Sequence, residues 1–269
     1  MGRLPFIFLF LTIVAPILYA DNTGALIRSC SSVNPKSKIE NQKSGLPSAA
    51  EILAQARAAL PDEPLLIKGQ IWTGGRIGKL ERACHLEIFM ELGEDPAVIC
   101  CRLSDAFGTP FEKMTVTAWE DQPAEFEYET GAPLRRAAAP PAAATVLGTD
   151  LAWNDLSLLF LWRRDGRTLR MENLRGRDCY VIEFPGQAGA SIENKKIIWI
   201  DAQIAVLLQM DDLDRNGELL RRMTVKNIKK ISDQWMVKNT EIRAYPSLHH
   251  TQIRIDEVDS GLPSTAGGQ

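Results

Sequence analysis

From residue 64 onward apolar side chains recur at every second position, and the clearest run is Leu80 to Leu92. Leu80, Cys84, Leu86, Ile88, Met90 and Leu92 share one face, while Glu81, His85, Glu87 and Glu91 share the other. A strand with one dry and one wet face is the mark of antiparallel sheet. Comparable runs at 64–73, 97–104, 111–119 and 124–129 predict neighbours for it, and the pattern resumes at 168–174, 178–184, 195–201, 204–212, 218–230, 234–243 and 251–258. Asp165-Gly166, Pro185-Gly186 and Asn216-Gly217 sit between runs as turn dipeptides. The pattern predicts about twelve strands in near-sequential antiparallel order. Such a sheet must cover its apolar face with helices or curl around it.

Two stretches follow the helical period instead. Ser48-Ala49-Ala50-Glu51 is a capping box, and Ile52, Leu53, Ala56, Ala59 and Leu60 recur at helical spacing until Pro61 stops them. A short helix through Trp162 is predicted as well, capped by Asp150 or Asn154. Between the two sets of strands lies an Ala/Pro-rich stretch, 132–144, which reads as a long mobile loop inside one domain. The domain is expected to span 47–259, after a disordered polar leader at 21–46 and before a flexible tail at 260–269.

The first residues read as an export address. Arg3 precedes an apolar run from Phe6 to Leu18, which suits a secretory signal (residues 1–20, cleavage after Ala20) better than a span of roughly 20 residues. A periplasmic location follows, with an uncleaved anchor as the alternative. Acylation at Cys30 is disfavoured by Arg28, where small or apolar residues are wanted.

Composition narrows the function classes. The chain is 45% hydrophobic and 24% charged with a net charge of −3, so it offers no strong field to nucleic acid. Its five cysteines lack metal or redox spacing. A hairpin turning at Gly93-Glu94-Asp95-Pro96 places Cys84 opposite position 104 or 105, too far along the strand from Cys101 for a disulfide. Cys84, Cys100, Cys101 and Cys179 are therefore expected as free thiols, with one disulfide through Cys179 left open.

Catalytic motifs do not emerge. His85, His249 and His250 have no partner at ligand spacing, and no nucleophile elbow or phosphate loop occurs. Asp211, Asp212 and Asp214 read as an Asp-rich turn, or else as a calcium site. Asp150 and Asp155 read as capping and solvated residues, or else as an acid–base pair. No cofactor, metal or catalytic residue is predicted.

Apolar surface remains. The candidate lining of a ligand cavity is Leu86, Ile88 and Met90 on one strand, with Met114 and Val116 on another. Leu151, Trp153, Leu156 and Phe160 come from the helical stretch, and Ile198, Leu208 and Met210 from later strands. The same residues suit an ordinary filled core, and their pattern does not separate the two readings.

The chain from about Leu46 to Val258 resembles the outer-membrane lipoprotein-sorting, LolA-like proteins. The resemblance lies in Leu147-Gly148-Thr149-Asp150-Leu151-Ala152-Trp153-Asn154-Asp155-Leu156, in Gly176-Arg177-Asp178-Cys179-Tyr180-Val181 and in Ile197-Ile198-Trp199-Ile200-Asp201. It continues in Trp235-Met236-Val237-Lys238-Asn239-Thr240-Glu241 and Thr251-Gln252-Ile253-Arg254-Ile255, with Asp105-Ala106-Phe107-Gly108 also similar. It implies an unclosed antiparallel β-barrel with helices against the concave face, and a monomeric, non-catalytic carrier of lipoprotein acyl chains or other apolar ligands. A lidded carrier of this kind uses a basic residue to steady its helical lid, for which Arg163 and Arg164 are candidates by proximity. The alternative on the same fold is a sensor or binding module for an envelope membrane protein.

Overall fold

The alternating runs become strands in a computed structural model that describes residues 45–75, 81–186, 195–231 and 234–260. They are β1 (Leu65–Gly74), β2 (Glu81–Glu91), β3 (Ala97–Ser104), β4 (Pro110–Ala118), β5 (Glu125–Thr130), β6 (Arg135–Ala137) and β7 (Arg167–Leu174). After these come β8 (Arg177–Pro185), β9 (Lys195–Asp201), β10 (Leu207–Leu213), β11 (Leu219–Ile231), β12 (Gln234–Ala244) and β13 (His250–Ser260). All belong to one antiparallel sheet in the order β6-β5-β4-β3-β2-β1-β13-β12-β11-β10-β9-β8-β7. The first and last strands pair, and among the described residues β6 and β7 are the two edges of the sheet. The sheet curls into an unclosed barrel, as expected. The expected signal at 1–20, the leader as far as residue 44 and the tail from residue 261 lie outside the described residues.

The helix α1 (Ala49–Ala58) begins at the expected capping box: Glu51 N–H donates to Ser48 Oγ (3.2 Å) and Ser48 N–H to Glu51 Oε2 (2.7 Å). Its buried residues Ala49, Ile52, Leu53 and Ala56 form one face, laid against the inside of the sheet. There they meet the dry face of β2, where Leu86 is paired with Leu103, Ile88 with Cys101 and Met90 with Ile99. This register leaves Cys84 beyond Ser104, and all four described cysteines are free thiols. Where β1 meets β13 the register shifts at Lys68/Gly69, and a Cβ on Gly69 would lie 2.4 Å from the Arg254 carbonyl oxygen. Only glycine admits so close an approach.

Three expectations need correction. The Ala/Pro-rich stretch is not simply a mobile loop. It supplies β6, which pairs Arg135 with Thr130 and Ala137 with Tyr128, and it continues as a strap. Asn154 N–H donates to the Ala142 carbonyl (2.9 Å), Trp153 N–H to that of Ala144 (3.3 Å), and Thr145 bridges Ala152. Backbone pairing of this kind needs no side-chain alternation, so alanine and proline conceal it. The second helix is short, as expected, but it is divided and its cap differs. It comprises α2 (Trp153–Leu156) and a 3₁₀ helix (Leu159–Trp162), separated by Leu158 at φ 52°. Neither Asp150 nor Asn154 caps it; Asp155 Oδ2 accepts the N–H of Ala152 instead (2.8 Å).

The third correction concerns Leu208. Strict alternation places it beside Met210 on the inner face, but a bulge between Leu207 and Gln209 inserts an extra residue. Leu208 therefore joins Cys179, Val181 and Trp199 in a small cluster on the outer face, while Met210 belongs to the main inner core. No helix among the described residues is long and apolar enough to cross a membrane.

Candidate functional site

An apolar cavity of about 210 Å³ opens between the end of α1, the α2–3₁₀ segment and the inner face of the sheet. Ala59, Leu60 and Pro61 form one wall, Ile88 and Met90 of β2 with Leu92 just beyond its end another, and Leu158 and Phe160 the roof. Met223, Val225, Met236, Ile253 and Ile255 close the far side, and Trp235, which is 39% exposed, stands at the rim. Every lining side chain except Asp155 and Thr240 is apolar. Such a surface selects by shape and dryness, not by hydrogen bonds. The volume falls below the roughly 300–1,000 Å³ of typical small-molecule sites, so a bulky occupant requires the roof to lift.

The roof is held by charge. Arg221 of β11 donates to both carboxylate oxygens of Asp155 (2.5 and 3.1 Å) and to the Asp150 carbonyl (2.8 Å). The same guanidinium donates to Asp212 Oδ2 through Nε (2.8 Å) and Nη2 (2.5 Å), and Lys196 pairs with the other oxygen of Asp212. All four side chains are largely or wholly buried. Burial works against the Arg221 charge, but Asp155 and Asp212 outweigh it and raise its pKa, so it stays protonated. Burial likewise pushes the Asp212 carboxyl up, but Arg221 and Lys196 prevail and hold it below the ordinary range. A second clamp comes from α1, where Arg57 Nη1 donates to the Leu161 carbonyl (2.5 Å).

The two arginines expected to steady the lid by proximity are engaged elsewhere. Arg163 binds Asp165 (2.7 and 2.9 Å) and the Pro185 carbonyl and lies over the Phe184 ring, and exposed Arg164 pairs with Asp121 (2.6 Å). Arg221 escapes a sequence reading because Asp155 lies 66 residues away. A signal was nonetheless present: Asp211-Asp212 and Arg221-Arg222 flank the Asn216-Gly217 turn, and hairpin register pairs Asp211 with Arg222 and Asp212 with Arg221.

The twelve predicted lining residues divide. Ile88, Met90, Leu156 and Phe160 line the apolar cavity. Leu86, Met114, Val116, Leu151, Trp153 and Ile198 are buried in the inner core, at most 4% exposed, and fill it. Met210 borders a neighbouring cleft, and Leu208 faces outward. The cavity thus lies toward the β11–β13 end, where Trp235, Met236 and Ile253 contribute and none of the twelve lies.

The residues considered for chemistry are occupied. Asp211 is paired with Arg222 and Asp212 with Arg221 and Lys196, while Asp214 Oδ1 accepts the N–H groups of Asn216 and Glu218 in the turn. Asp150 accepts from Thr251 Oγ1 (3.0 Å) and contacts His249 Nδ1 (2.7 Å), whereas Asp155 is claimed by Arg221. Burial raises the Cys84 thiol to about 12 and the Cys179 thiol to about 11, and it raises Cys101 as well. These thiols act as small apolar side chains. Among the described residues no cluster of His, Cys, Asp and Glu is arranged to hold a metal ion.

Solved structures share this architecture. A DUF1329 family protein from Desulfovibrio piger superposes with a TM-score of 0.66 at 16% identity, covering 82% of this chain and 93% of that one. An outer membrane lipoprotein-sorting protein domain from Vibrio parahaemolyticus gives 0.66 at 15% identity, with coverage of 82% and 93%. A LolA superfamily protein from Nitrosomonas europaea gives 0.59 at 15% identity, with coverage of 81% and 96%. A family model described only as an uncharacterized protein matches residues 132–265. Among curated proteins none matches significantly.

Proposed function

This chain is LolA-like in fold, and from that premise we propose that it is a non-catalytic periplasmic carrier or binding protein for lipoprotein acyl chains or other apolar ligands. One observation carries the reading: the cavity beneath the α2–3₁₀ segment is lined by apolar side chains throughout, apart from Asp155 and Thr240. A preformed dry hollow costs an apolar ligand little to enter and returns about 25 cal/mol for each Å² of apolar surface removed from water. The name of the Vibrio protein, lipoprotein-sorting, supports a lipidated protein as the class of cargo. Since the hollow is small, cargo enters by displacing the roof, and Arg221 and Arg57 set the cost of that displacement.

The test is a fluorescent acyl-chain probe titrated into purified protein, with mass spectrometry of its organic extract. Saturable enhancement is expected, reduced at least tenfold (about 1.4 kcal/mol) by Ala59→Trp, which narrows the cavity from an exposed position at the end of α1. Unchanged emission together with a lipid-free extract would defeat the proposal.

A second reading, a module that binds an envelope protein, has one observation in its favour. Phe107 is 93% exposed at the tip of the β3–β4 turn, which Asp105 stiffens by accepting the N–H groups of Phe107 (2.8 Å) and Thr109 (2.9 Å).

A further inference from the structure

A second hollow lies on the other side of the α2–3₁₀ segment. It is a cleft of about 550 Å³ bounded by the β4–β5 turn (residues 119–124), the strap at Ala142 and Ala143, and the end of the 3₁₀ helix, with Lys196 and Met210 beneath. Phe160 and Asp155 line both this cleft and the apolar cavity, so the two spaces abut across those side chains. Their linings differ. The cavity is almost wholly apolar; the cleft combines aromatic faces with charged and amide groups.

The charges of the cleft cancel. Its lining holds three cations (Arg163, Arg164, Lys196) and three anions (Glu120, Asp121, Asp155), for a net of zero. Each also has a partner of opposite sign: Arg163 with Asp165, Arg164 with Asp121, Glu120 with Arg57, Lys196 with Asp212 and Asp155 with Arg221. A phosphate or carboxylate entering here must displace one of these carboxylates or bring an uncompensated charge into a partly buried space. An uncharged group faces neither cost. The amides of Gln122 and Asn154 offer it donors and acceptors, while Trp119, Phe126 and Trp162 offer flat apolar faces.

We infer that this cleft receives the uncharged, hydrogen-bonding head of an amphiphile whose tail occupies the neighbouring apolar cavity. The inference rests on the carrier reading and specifies its ligand: one molecule straddles Phe160, with hydrocarbon on one side and sugar hydroxyls or peptide amides on the other. Sugar and amide heads share the chemistry that the cleft recognises, so binding separates the two sources.

The experiment compares four ligands with one common dodecyl tail, each below its micelle threshold: dodecyl maltoside, an N-dodecanoyl dipeptide amide, dodecanoate and dodecyl phosphate. Dissociation constants are measured by calorimetry on the full chain, on Ala143→Trp and on Ala59→Trp. Ala143 is exposed and borders only the cleft, and Ala59 is exposed and borders only the cavity, so neither substitution enters the core. A neutral head is expected to bind about tenfold tighter than either anion, the equivalent of one well-made hydrogen bond. Ala143→Trp should abolish that preference and leave dodecanoate binding unchanged, and Ala59→Trp should weaken all four. Whichever neutral head binds tighter identifies the source. Equal affinity for all heads, or a preference that survives Ala143→Trp, overturns the inference and leaves the carrier intact. Failure of all four ligands to bind the unmodified chain removes both.

Discussion

At the scale of single residues, Arg221 decides how the roof sits. Removing one partner of a buried charge network costs about 3–5 kcal/mol, because the remaining carboxylates are left uncompensated, whereas an exposed pair contributes about 0–1 kcal/mol. Urea denaturation is therefore expected to show a large loss for Arg221→Met and little change for Arg164→Met, since Arg164 and Asp121 are 65% and 83% exposed. The pH dependence has a definite sign. Arg221 and Lys196 hold the Asp212 carboxyl below its unfolded value, so its contribution is present above about pH 3.9 and disappears as pH falls through the lower folded value. Asp212→Asn should flatten the acid limb of the stability curve below about pH 4. An acid limb identical to that of the unmodified chain would show that Asp212 is not the group involved. Only the Asp212–Arg221 half of this network was legible in the sequence, through the hairpin that turns at Asn216-Gly217. Asp155 read as a capping residue, and so it is toward Ala152, but its second role depends on a strand far along the chain.

At the scale of elements, alternation revealed what alternates. The strand expected between Leu80 and Leu92 proved to be β2 because its dry face is unbroken, and α1 proved legible because capping box and apolar period agree. Bulges were invisible, and they moved Leu208 to the outer face. They also free backbone carbonyls, and one side chain collects these. Arg175 donates to the carbonyls of Val225 (3.1 Å) and Leu208 (3.4 Å), the register shifts at Val225/Asn227 and Leu207/Gln209. It does so from the two-residue turn between β7 and β8, where Arg175 and Gly176 have φ of 54° and 84°. That geometry is the hairpin-favoured type with both central residues left-handed. Arg175→Asn tolerates the backbone but loses the guanidinium, and should cost about 1–3 kcal/mol for two unsatisfied carbonyls. Arg175→Ala should cost roughly 1 kcal/mol more, for forcing a left-handed conformation on a residue that resists it. Thermal melts of the two variants test this order; equal losses would assign the whole effect to the guanidinium.

At the scale of the molecule, the sheet order makes the two halves of the chain depend on each other. The family model begins at residue 132, which suggests a unit of β6 to β13 with α2. Packing argues otherwise. The main core draws Ile52 and Leu53 from α1, Leu86 from β2 and Met114 from β4, and sets them against Trp153, Ile182, Ile198 and Ile242 from the later half. β13 also pairs along its length with β1, from Ser260 opposite Leu65 to His250 opposite Gly74. A fragment of residues 132–265 would therefore expose the inner face of β8–β12 and an unpaired edge on β13, both routes to aggregation. The fragment alone is expected to be insoluble or molten, with weak near-ultraviolet dichroism. Co-expression with residues 45–131 should restore a soluble complex, since the exposed turn between β5 and β6, where the break falls, tolerates it better than the strand pairing does. A soluble, cooperatively melting 132–265 would mean that the later half carries its own core, and the apolar cavity, with walls from α1, β1 and β2, would then be a product of docking between two independently stable pieces.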